Sequence, residues 1–530
     1  RSADGGLTLL HELVSAGTVE TVEAGGEERF VLAEEARGWR EALLDPAGKP
    51  EFWSRAASRF IQANPGCRPG EFASRYGLDP DLARQCFEDA RGSGDALEVE
   101  GRWLTAGALE AALRISRGLK RKEARPVPLE RFQQFVVEWQ HAAPGTRLQG
   151  KEGVLEALEQ LAGCCLPARL WEPEILARRV EGYDPQWLDW LLGAGLVLWR
   201  GIPGTGSPGD LAVLPRGLER LPLIGREPQA PPDTSFEALV LRTLRERGAS
   251  FLVDLGLALA ADTRHIEKAL LSLAREGLVT CDGFAPVRAP RPPGDIRQEA
   301  ERTHGPPRQR YRQLKRLRPP LKLASPGRWQ ALDVPAAVPD EETVELLARL
   351  LLERCGIAAR DTAHAAGIPV PWGSLYRALE RLELAGEVER GYFVEGLGGA
   401  QFALPEAALA LRGRPADDRP VALNSCDPAL VVPLPCSRRP GNYVVLEAGR
   451  PALALESGAK RLQPAGEEAR ALKCIPAIRA VLETPWPLRP LRRVEVELWG
   501  DAEVRGHPVE GALRAVGFQR TPRGLALEAL

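Results

Sequence analysis

Not one methionine occurs among the 530 residues, and the chain opens on Arg1-Ser2. We read the missing methionine, absent even at the start, as the mark of a piece of a longer reading frame; Arg1-Ser2 opens neither a signal peptide nor a transit peptide. Long apolar runs are missing too: none approaches the roughly 20 residues that a membrane-crossing helix needs. A cytoplasmic chain with no membrane partner is therefore expected. The nine cysteines include no C-x-x-C pair, and only Cys164 and Cys165 are adjacent. That pattern supports neither a disulfide framework nor a structural zinc site, so free thiols and no metal are expected. Six histidines lie far apart, with no H-x-x-x-H pair and no Ser/His/Asp pattern, which disfavours metal-assisted and serine-type hydrolysis. A phosphate-cradling G-x-x-x-x-G-K-[ST] loop is also lacking. Its nearest approach, Gly145 to Gly150-Lys151, continues with Glu152 where the metal-binding hydroxyl belongs, so nucleotide hydrolysis is not expected of this chain. Seventy basic and 72 acidic residues leave a net charge of −2. Any affinity for nucleic acid must come from local basic faces.

What the chain does contain is one phrase, repeated: an apolar helix, a glycine or short polar break, then a hydrophobic hairpin. It occurs as LLHELVSAGTVETV (Leu9–Val22), LDWLLGAGLVLWRG (Leu188–Gly201), LLSLAREGLVTCDG (Leu270–Gly283) and LERLELAGEVERGY (Leu379–Tyr392), with a looser copy over Leu82–Leu104. Leucines at i, i+3 and i+4 give a buried helical stripe, glycine releases the helix C-terminus, and β-branched residues open a strand. Two further helical segments precede three of the copies: Phe52–Ala63 with Pro69–Tyr76, Phe236–Arg247 with Phe251–Leu259, and Glu342–Cys355 with Ala358–Ala366. Three helices and a wing make a winged helix-turn-helix. The fullest copy ends in RGYFVEGLGGAQFALP (Arg390–Pro405). We read it as a strand over Tyr392–Val394, a turn carrying Gly396, Gly398 and Gly399, and a returning strand from Gln401. GLGGAQ joins two strands and has no helix N-terminus to receive phosphate, so a dinucleotide loop is disfavoured.

The expected fold is mainly α with small β-wings: a tandem winged-helix array followed by a C-terminal α/β β-barrel domain. Its divisions are 1–45, the end of a winged-helix unit; 46–122, a winged-helix unit and connector helix; 123–225, a helical and winged-helix module; 226–290, a winged-helix unit; 291–336, a basic linker; 337–415, a winged-helix unit; and 416–530, the barrel. Phe132, Phe135, Val136 and Trp139 have the spacing of a core stripe, with base stacking by Trp139 or Trp171 as the alternative.

Two faces are candidates for phosphate contact. In the linker, Arg302 to Arg328 runs without an acidic residue, and we single out Arg308, Arg310, Arg312, Lys315, Arg316 and Arg318. In the unit at 337–415, the third helix offers Arg377 and Arg381 away from its leucine stripe, and the wing adds Arg390, Tyr392 and the bare tip at Gly398. The wing reads two ways: docked on the terminal barrel, or free to meet nucleic acid.

Several ordered motifs carry a family resemblance. The stretch from Phe132 to Gly201, with FVVEWQ, GVLEALEQLAG and PARLWEPEILARRVEGYDPQWLDWLLGAGLVLWRG, resembles the region after the helicase core in the large helicase-related protein (Lhr) family. GRWQAL (Gly327–Leu332), the wing motif and the Asp427-Pro428-Ala429 step resemble the same family's C-terminal half, although Gln330 stands where serine is usual. The resemblance implies the C-terminal region of a DNA-repair helicase. Two ATPase lobes holding ATP and Mg would belong to the same polypeptide outside this chain, and no cofactor would be bound here. Implied partners are single-stranded or forked DNA, an RNA–DNA hybrid, the N-terminal helicase core and further copies of the chain. The architecture also resembles the AlkZ/YcaQ-type DNA glycosylases, which implies a second, enzymatic reading: a uracil-DNA glycosylase acting on flipped bases. That chemistry needs a carboxylate or amide to polarise water at the sugar carbon. Candidates are Glu395 and Gln401 on the wing, Asp427, and Glu528, the last because the family's proposed glycosylase carboxylate lies near the chain end.

Overall fold

A computed structural model describes residues 10, 12–112, 115, 126–204, 209–288, 327–334, 339–413, 418–483, 488 and 493–529. The chain divides into two compact units, Arg1–Glu123 and Ala124–Leu530.

In the first unit the hairpin Val19–Ala24 (β1) and Glu27–Leu32 (β2) leads into helix Ala33–Leu44 (α1). Helices Pro50–Ala63 (α2), Pro69–Tyr76 (α3) and Pro80–Gly92 (α4) follow, then the hairpin Leu97–Val99 (β3) and Arg102–Leu104 (β4). Proline at the first turn of α2, α3 and α4 starts each helix where no N–H bond is forfeited, and the Asp79 carboxylate caps α4. Trp53, Phe60, Phe72 and Phe87 fill the core between them.

The second unit meets the same order three more times. The first set comprises Leu129–Trp139 (α5), Leu148–Gln149 (β5), Gly150–Gln160 (α6), Leu166–Pro167 (β6), Val180–Glu181 (β7), Pro185–Gly193 (α7), Val197–Gly201 (β8) and Asp210–Pro215 (β9). Strand β9 lies between β6 and β8. The second set is Phe236–Arg247 (α8), Ser250–Phe251 (β10), Leu252–Leu259 (α9), Thr263–Arg275 (α10), Val279–Cys281 (β11) and Arg328–Ala331 (β12). The third is Glu341–Cys355 (α11), Ile357–Ala358 (β13), Arg360–Ala365 (α12), Trp372–Ala385 (α13), Glu389–Gly391 (β14) and Gln401–Ala403 (β15), closed by Pro405–Gly413 (α14).

Two expectations are corrected here. Residues 291–336 are not a linker between units. Strand β12 returns to pair with β11 and β10, in the order β10-β12-β11. The basic run therefore belongs to the connection between two strands of one wing; Trp329 on β12 is 1% exposed and packs edge-on against Trp199. Its cations Arg308, Arg310, Arg312, Lys315, Arg316 and Arg318 lie outside the described residues.

The second correction concerns 416–530. Strands Val421–Asn424 (β16), Tyr443–Glu447 (β17), Arg450–Glu456 (β18), Arg461–Pro464 (β19), Leu498–Trp499 (β21) and Ala502–Glu503 (β22) form an open six-stranded sheet, β16 at one edge and β22 at the other. Arg493–Val496 (β20), Gln519–Arg520 (β23) and Leu525–Glu528 (β24) make a separate sheet, ordered β20-β24-β23. Among the described residues no pairing joins the two edges, so no barrel closes. The apolar faces are buried instead by Ile475, Ile478, Val481 and Leu482 of the helical segment between β19 and β20, so the core is completed without closure.

Helix α5 sits where these parts meet. It packs against α11, α14 and β18, and two of its polar residues, Gln133 and Gln134, are buried. Gln133 donates to the Ala429 carbonyl at 2.8 Å and accepts from the N–H groups of Val431 (2.8 Å) and Val432 (3.1 Å). Gln140 donates to the Arg354 carbonyl at 3.0 Å. Trp139 donates through Nε1 to Glu353 at 2.7 Å, and the fully buried Trp171 to Leu211 at 3.1 Å, so both rings are structural.

Candidate nucleic-acid interface

The unit spanning α11 to α14 holds most of the sequence-predicted contact residues. Helix α13 starts after Pro371 and stops where Gly386 turns left-handed at φ +80°. Leu375, Ala378, Leu379 and Leu382 face α11 and the sheet, leaving Arg377, Arg381 and Leu384 outside. The wing departs from a simple hairpin: Tyr392–Val394, expected as strand, is not part of β14. Gln401, fully buried, takes the place of a partner strand. Its carbonyl accepts from the N–H groups of Phe393 (2.8 Å) and Val394 (2.9 Å), and its amide donates to the carbonyls of Val394 (2.8 Å) and Leu397 (3.3 Å). Every polar function of Gln401 is committed, which removes it as a group that could activate water. Phe393 turns inward against Phe132 and Phe135. Val127 donates to the Phe393 carbonyl and accepts from the Glu395 N–H, each at 2.8 Å. The wing thus docks on the approach to α5 and not on the terminal domain.

Beyond that anchor the tip is bare. Tyr392 is 65% exposed, Glu395 is exposed, and a Cβ added at Gly396 or Gly399 would meet nothing within 4 Å. Gly398 donates its N–H to Asp361 Oδ2 at 2.8 Å; its φ is not left-handed, and a Cβ there would meet only that oxygen, at 3.8 Å. Gly398→Val should therefore leave the melting temperature within about 1 °C of the parent. Gly396→Val, at φ +82°, should lower stability by about 1–2 kcal/mol. Thermal unfolding of both variants checks this, and equal melting would show that backbone conformation is not limiting at the tip.

The cations here are mostly neutralised. Arg390 lies over the rings of Tyr376 and Phe402, 5.2 and 5.5 Å from their centroids, and pairs with Glu380 at 3.3 Å. Arg381 faces Glu345 at 3.8 Å, and Arg349 pairs with Glu345 and Glu387. Arg377 has no carboxylate within ion-pair distance among the described residues; its Nε donates to the Gly373 carbonyl at 3.3 Å.

The remaining candidates fall in two different settings. Glu528 ends β24 opposite Arg493, 3.5 Å away, with its side chain 69% exposed. Asp427 is fully buried. Arg179 donates to both its oxygens, Nη2 to Oδ1 at 2.7 Å and Nη1 to Oδ2 at 3.0 Å, and the Ala429 N–H donates to Oδ1 at 2.8 Å. That carboxylate braces the fold and has no open side for a flipped base. Glu395 shares the bare tip; its N–H donates to Val127, and its carboxylate has no hydrogen-bond or ion-pair partner among the described residues.

Sequence reasoning missed the group around Asp427. Arg179 also donates to Gln140 Oε1 at 2.9 Å, and Tyr443 donates its hydroxyl to Glu174 Oε1 at 2.7 Å. Burial pushes the Glu174 carboxyl above its ordinary range, opposed by Arg178 and by the Tyr443 hydrogen bond. Glu174 lies in Trp171–Leu176, a π-helical turn that swings Glu172 and Glu174 inward. The readable signal was two acids and two arginines inside the otherwise apolar WEPEILARR. Glu172 takes the same route, accepting from Tyr183 at 2.9 Å and from Arg288 at 2.7 and 2.8 Å. The loop nearest a phosphate cradle, Gly145 to Lys151, does not fit ATP: Lys151 lies over the Trp190 ring, 3.9 Å from its centroid.

Three-helix units ending in small hairpins, with a third helix beside each wing, define a winged-helix protein. Two different winged-helix domain models of the large helicase-related protein match, one over residues 127–216 and the other over 337–422. The chain belongs to the large helicase-related protein family, matching its C-terminal winged-helix region. It is 28% identical to the Lhr helicase/uracil glycosylase of Escherichia coli (strain K12), over 98% of this chain and 37% of that protein. Identity is 31% to the Lhr helicase/probable uracil glycosylase of Mycolicibacterium smegmatis, over 91% of this chain and 35% of that protein. The chain thus spans about a third of the length of these relatives. Among solved structures, the Streptomyces sahachiroi DNA glycosylase AlkZ aligns with a TM-score of 0.41 and 14% identity, over 67% of this chain and 96% of that one.

Proposed function

We propose that the chain is the DNA-gripping region of a large helicase-related protein, a tandem array of winged helices that holds one strand or a junction while ATPase lobes elsewhere in the polypeptide move along it. The observation that carries this reading is the coincidence of both domain matches with helix–helix–helix–hairpin units. Winged helices present a helix and a wing to the phosphate backbone. Binding of the purified chain to fluorescent duplex and forked DNA, followed by anisotropy over a salt series, tests it. Affinity should fall linearly in log–log form as salt rises; no salt-dependent binding to either DNA would reject it.

The names of both relatives favour a second reading, uracil excision. Of the candidate carboxylates, Asp427 is buried, whereas Glu395 and Glu528 are exposed and can be altered without opening the core; we take Glu528, whose side chain is 69% exposed, as the one to alter first. If the chain cleaves uracil-containing strands without ATP, Glu528→Gln should abolish cleavage and leave melting unchanged. Retained cleavage in that variant would remove Glu528 from the chemistry.

A further inference from the structure

In the four units whose three helices are described above, α4, α7, α10 and α13 stand in the third-helix position, immediately before a wing. Their outward charges differ. On α4, Arg84 pairs with Asp81 at 3.0 Å and Arg91 with Glu88 at 2.6 Å. Helix α7 contains no Lys or Arg, and on α13 Arg381 is paired, which leaves Arg377. Helix α10 is unlike the others. Arg264, Lys268 and Arg275 are all exposed, and none has a carboxylate within ion-pair distance among the described residues.

At 100° per residue these cations fall within about 40° of one another, opposite the buried Ile266, Ala269, Leu270 and Leu273. Glu267 sits about 60° round the helix from Arg264. Arg264 to Arg275 spans eleven residues, or about 16 Å of helix, slightly more than the roughly 12 Å width of the B-DNA major groove. A helix seated in that groove would carry a cation to the phosphates on each rim, with Lys268 between. An isolated surface arginine forfeits little by pairing with a neighbouring glutamate. Three left unpaired on one stripe mark a face suited to an external anion, and the periodic phosphates of a duplex match the stripe's length.

We propose that α10 is the helix of this chain that enters duplex DNA, with Arg264, Lys268 and Arg275 as its phosphate contacts. This assignment rests on the DNA-gripping reading above and names the unit that performs it. Helix α9, which packs against α10, adds exposed apolar surface to the same unit: Phe251 at its N-cap, and Val253 and Leu257 within it, Leu257 at 77% exposure.

The test uses the full chain and a fluorescent duplex, with affinity measured over a salt series. Arg264→Gln, Lys268→Gln and Arg275→Gln together should weaken duplex binding and reduce the magnitude of the log–log salt slope by about 2.7, at about 0.9 per lost phosphate contact. Arg242→Gln, Arg245→Gln and Arg247→Gln on α8, exposed cations of the same unit outside the α10 stripe, should leave the slope unchanged. If the parent binds and the α10 triple variant binds with the same slope, α10 is not the contact while the DNA-gripping reading stands. It is likewise not the contact if only single-strand binding is weakened, or if the α8 variant loses as much. If the parent binds no nucleic acid, both readings fall together.

Discussion

Arg179→Met should lower the stability of the Ala124–Leu530 unit by about 3–5 kcal/mol, the usual cost of leaving one member of a buried ion pair without its partner. Arg179 and Asp427 are both fully buried. They lie 248 residues apart, so the pair fastens the segment after the π-helical turn to the start of the terminal domain. Removing the guanidinium also strands Gln140 Oε1, which accepts from Nη2. Arg179→Met with Asp427→Leu should recover part of the loss, since an apolar pair of similar volume needs no charge compensation. Recovery stays incomplete because the Ala429 N–H, which donates to Asp427, loses its acceptor. Urea unfolding of the three variants and the parent measures both effects. A loss under about 1 kcal/mol for Arg179→Met would show that solvent or another acceptor replaces the pair.

Gly449→Ala should be about as damaging for an unrelated reason. The two-residue turn between β17 and β18 places Ala448 at φ +48° and Gly449 at φ +75°. A Cβ on Gly449 would lie 1.8 Å from the Glu130 carbonyl oxygen and 2.8 Å from the Gln134 nitrogen, both backbone atoms of α5. A methyl group would have to push the turn off the helix and strain the Arg450–Glu130 ion pair that spans the same contact at 2.5 Å. Left-handed conformation costs an alanine about 1–2 kcal/mol, and overpacking adds about 1–3 kcal/mol. Gly458→Ala separates the two terms. At φ +72° it carries the same conformational cost, and its Cβ would meet nothing within 4 Å. Melting of Gly449→Ala well below Gly458→Ala is the expected result; equal melting would mean that the turn does not press on α5.

Local features of this fold could be read from the residues, whereas its long-range connections could not. The leucine stripes of α10 and α13 fall where periodicity predicts them, because each is decided within a few neighbouring positions. The return of β12 to β11 could not be read: Arg328–Ala331 is a plausible strand with no local mark of its partner, and a long connection disguises a hairpin as a linker. Barrel closure failed on similar grounds, since alternating strands do not say whether an edge meets an edge. At the interface, basic residues were readable as residues but their neutralisation was not. Arg390 and Arg381 looked available until α11 and α13 brought Glu345, Glu380 and Glu383 to them. Arg264, Lys268 and Arg275 were visible in the sequence as well. What distinguished them, the absence of a nearby carboxylate among the described residues, depends on the fold.

The strand order β10-β12-β11 gives the chain's continuity an unexpected character. The middle strand is supplied by residues that follow the connection, and both outer strands by residues that precede it. Severing that connection would not yield a front piece and a back piece as independent bodies. The front piece would keep an open slot, flanked by β10 and β11, where Trp329 had been buried, and the back piece would carry the strand that fits it. In assembly terms the chain is a self-complemented pair, with its second half inserted as a donor strand into its first, and their union is held by a ladder of backbone hydrogen bonds as much as by the covalent thread.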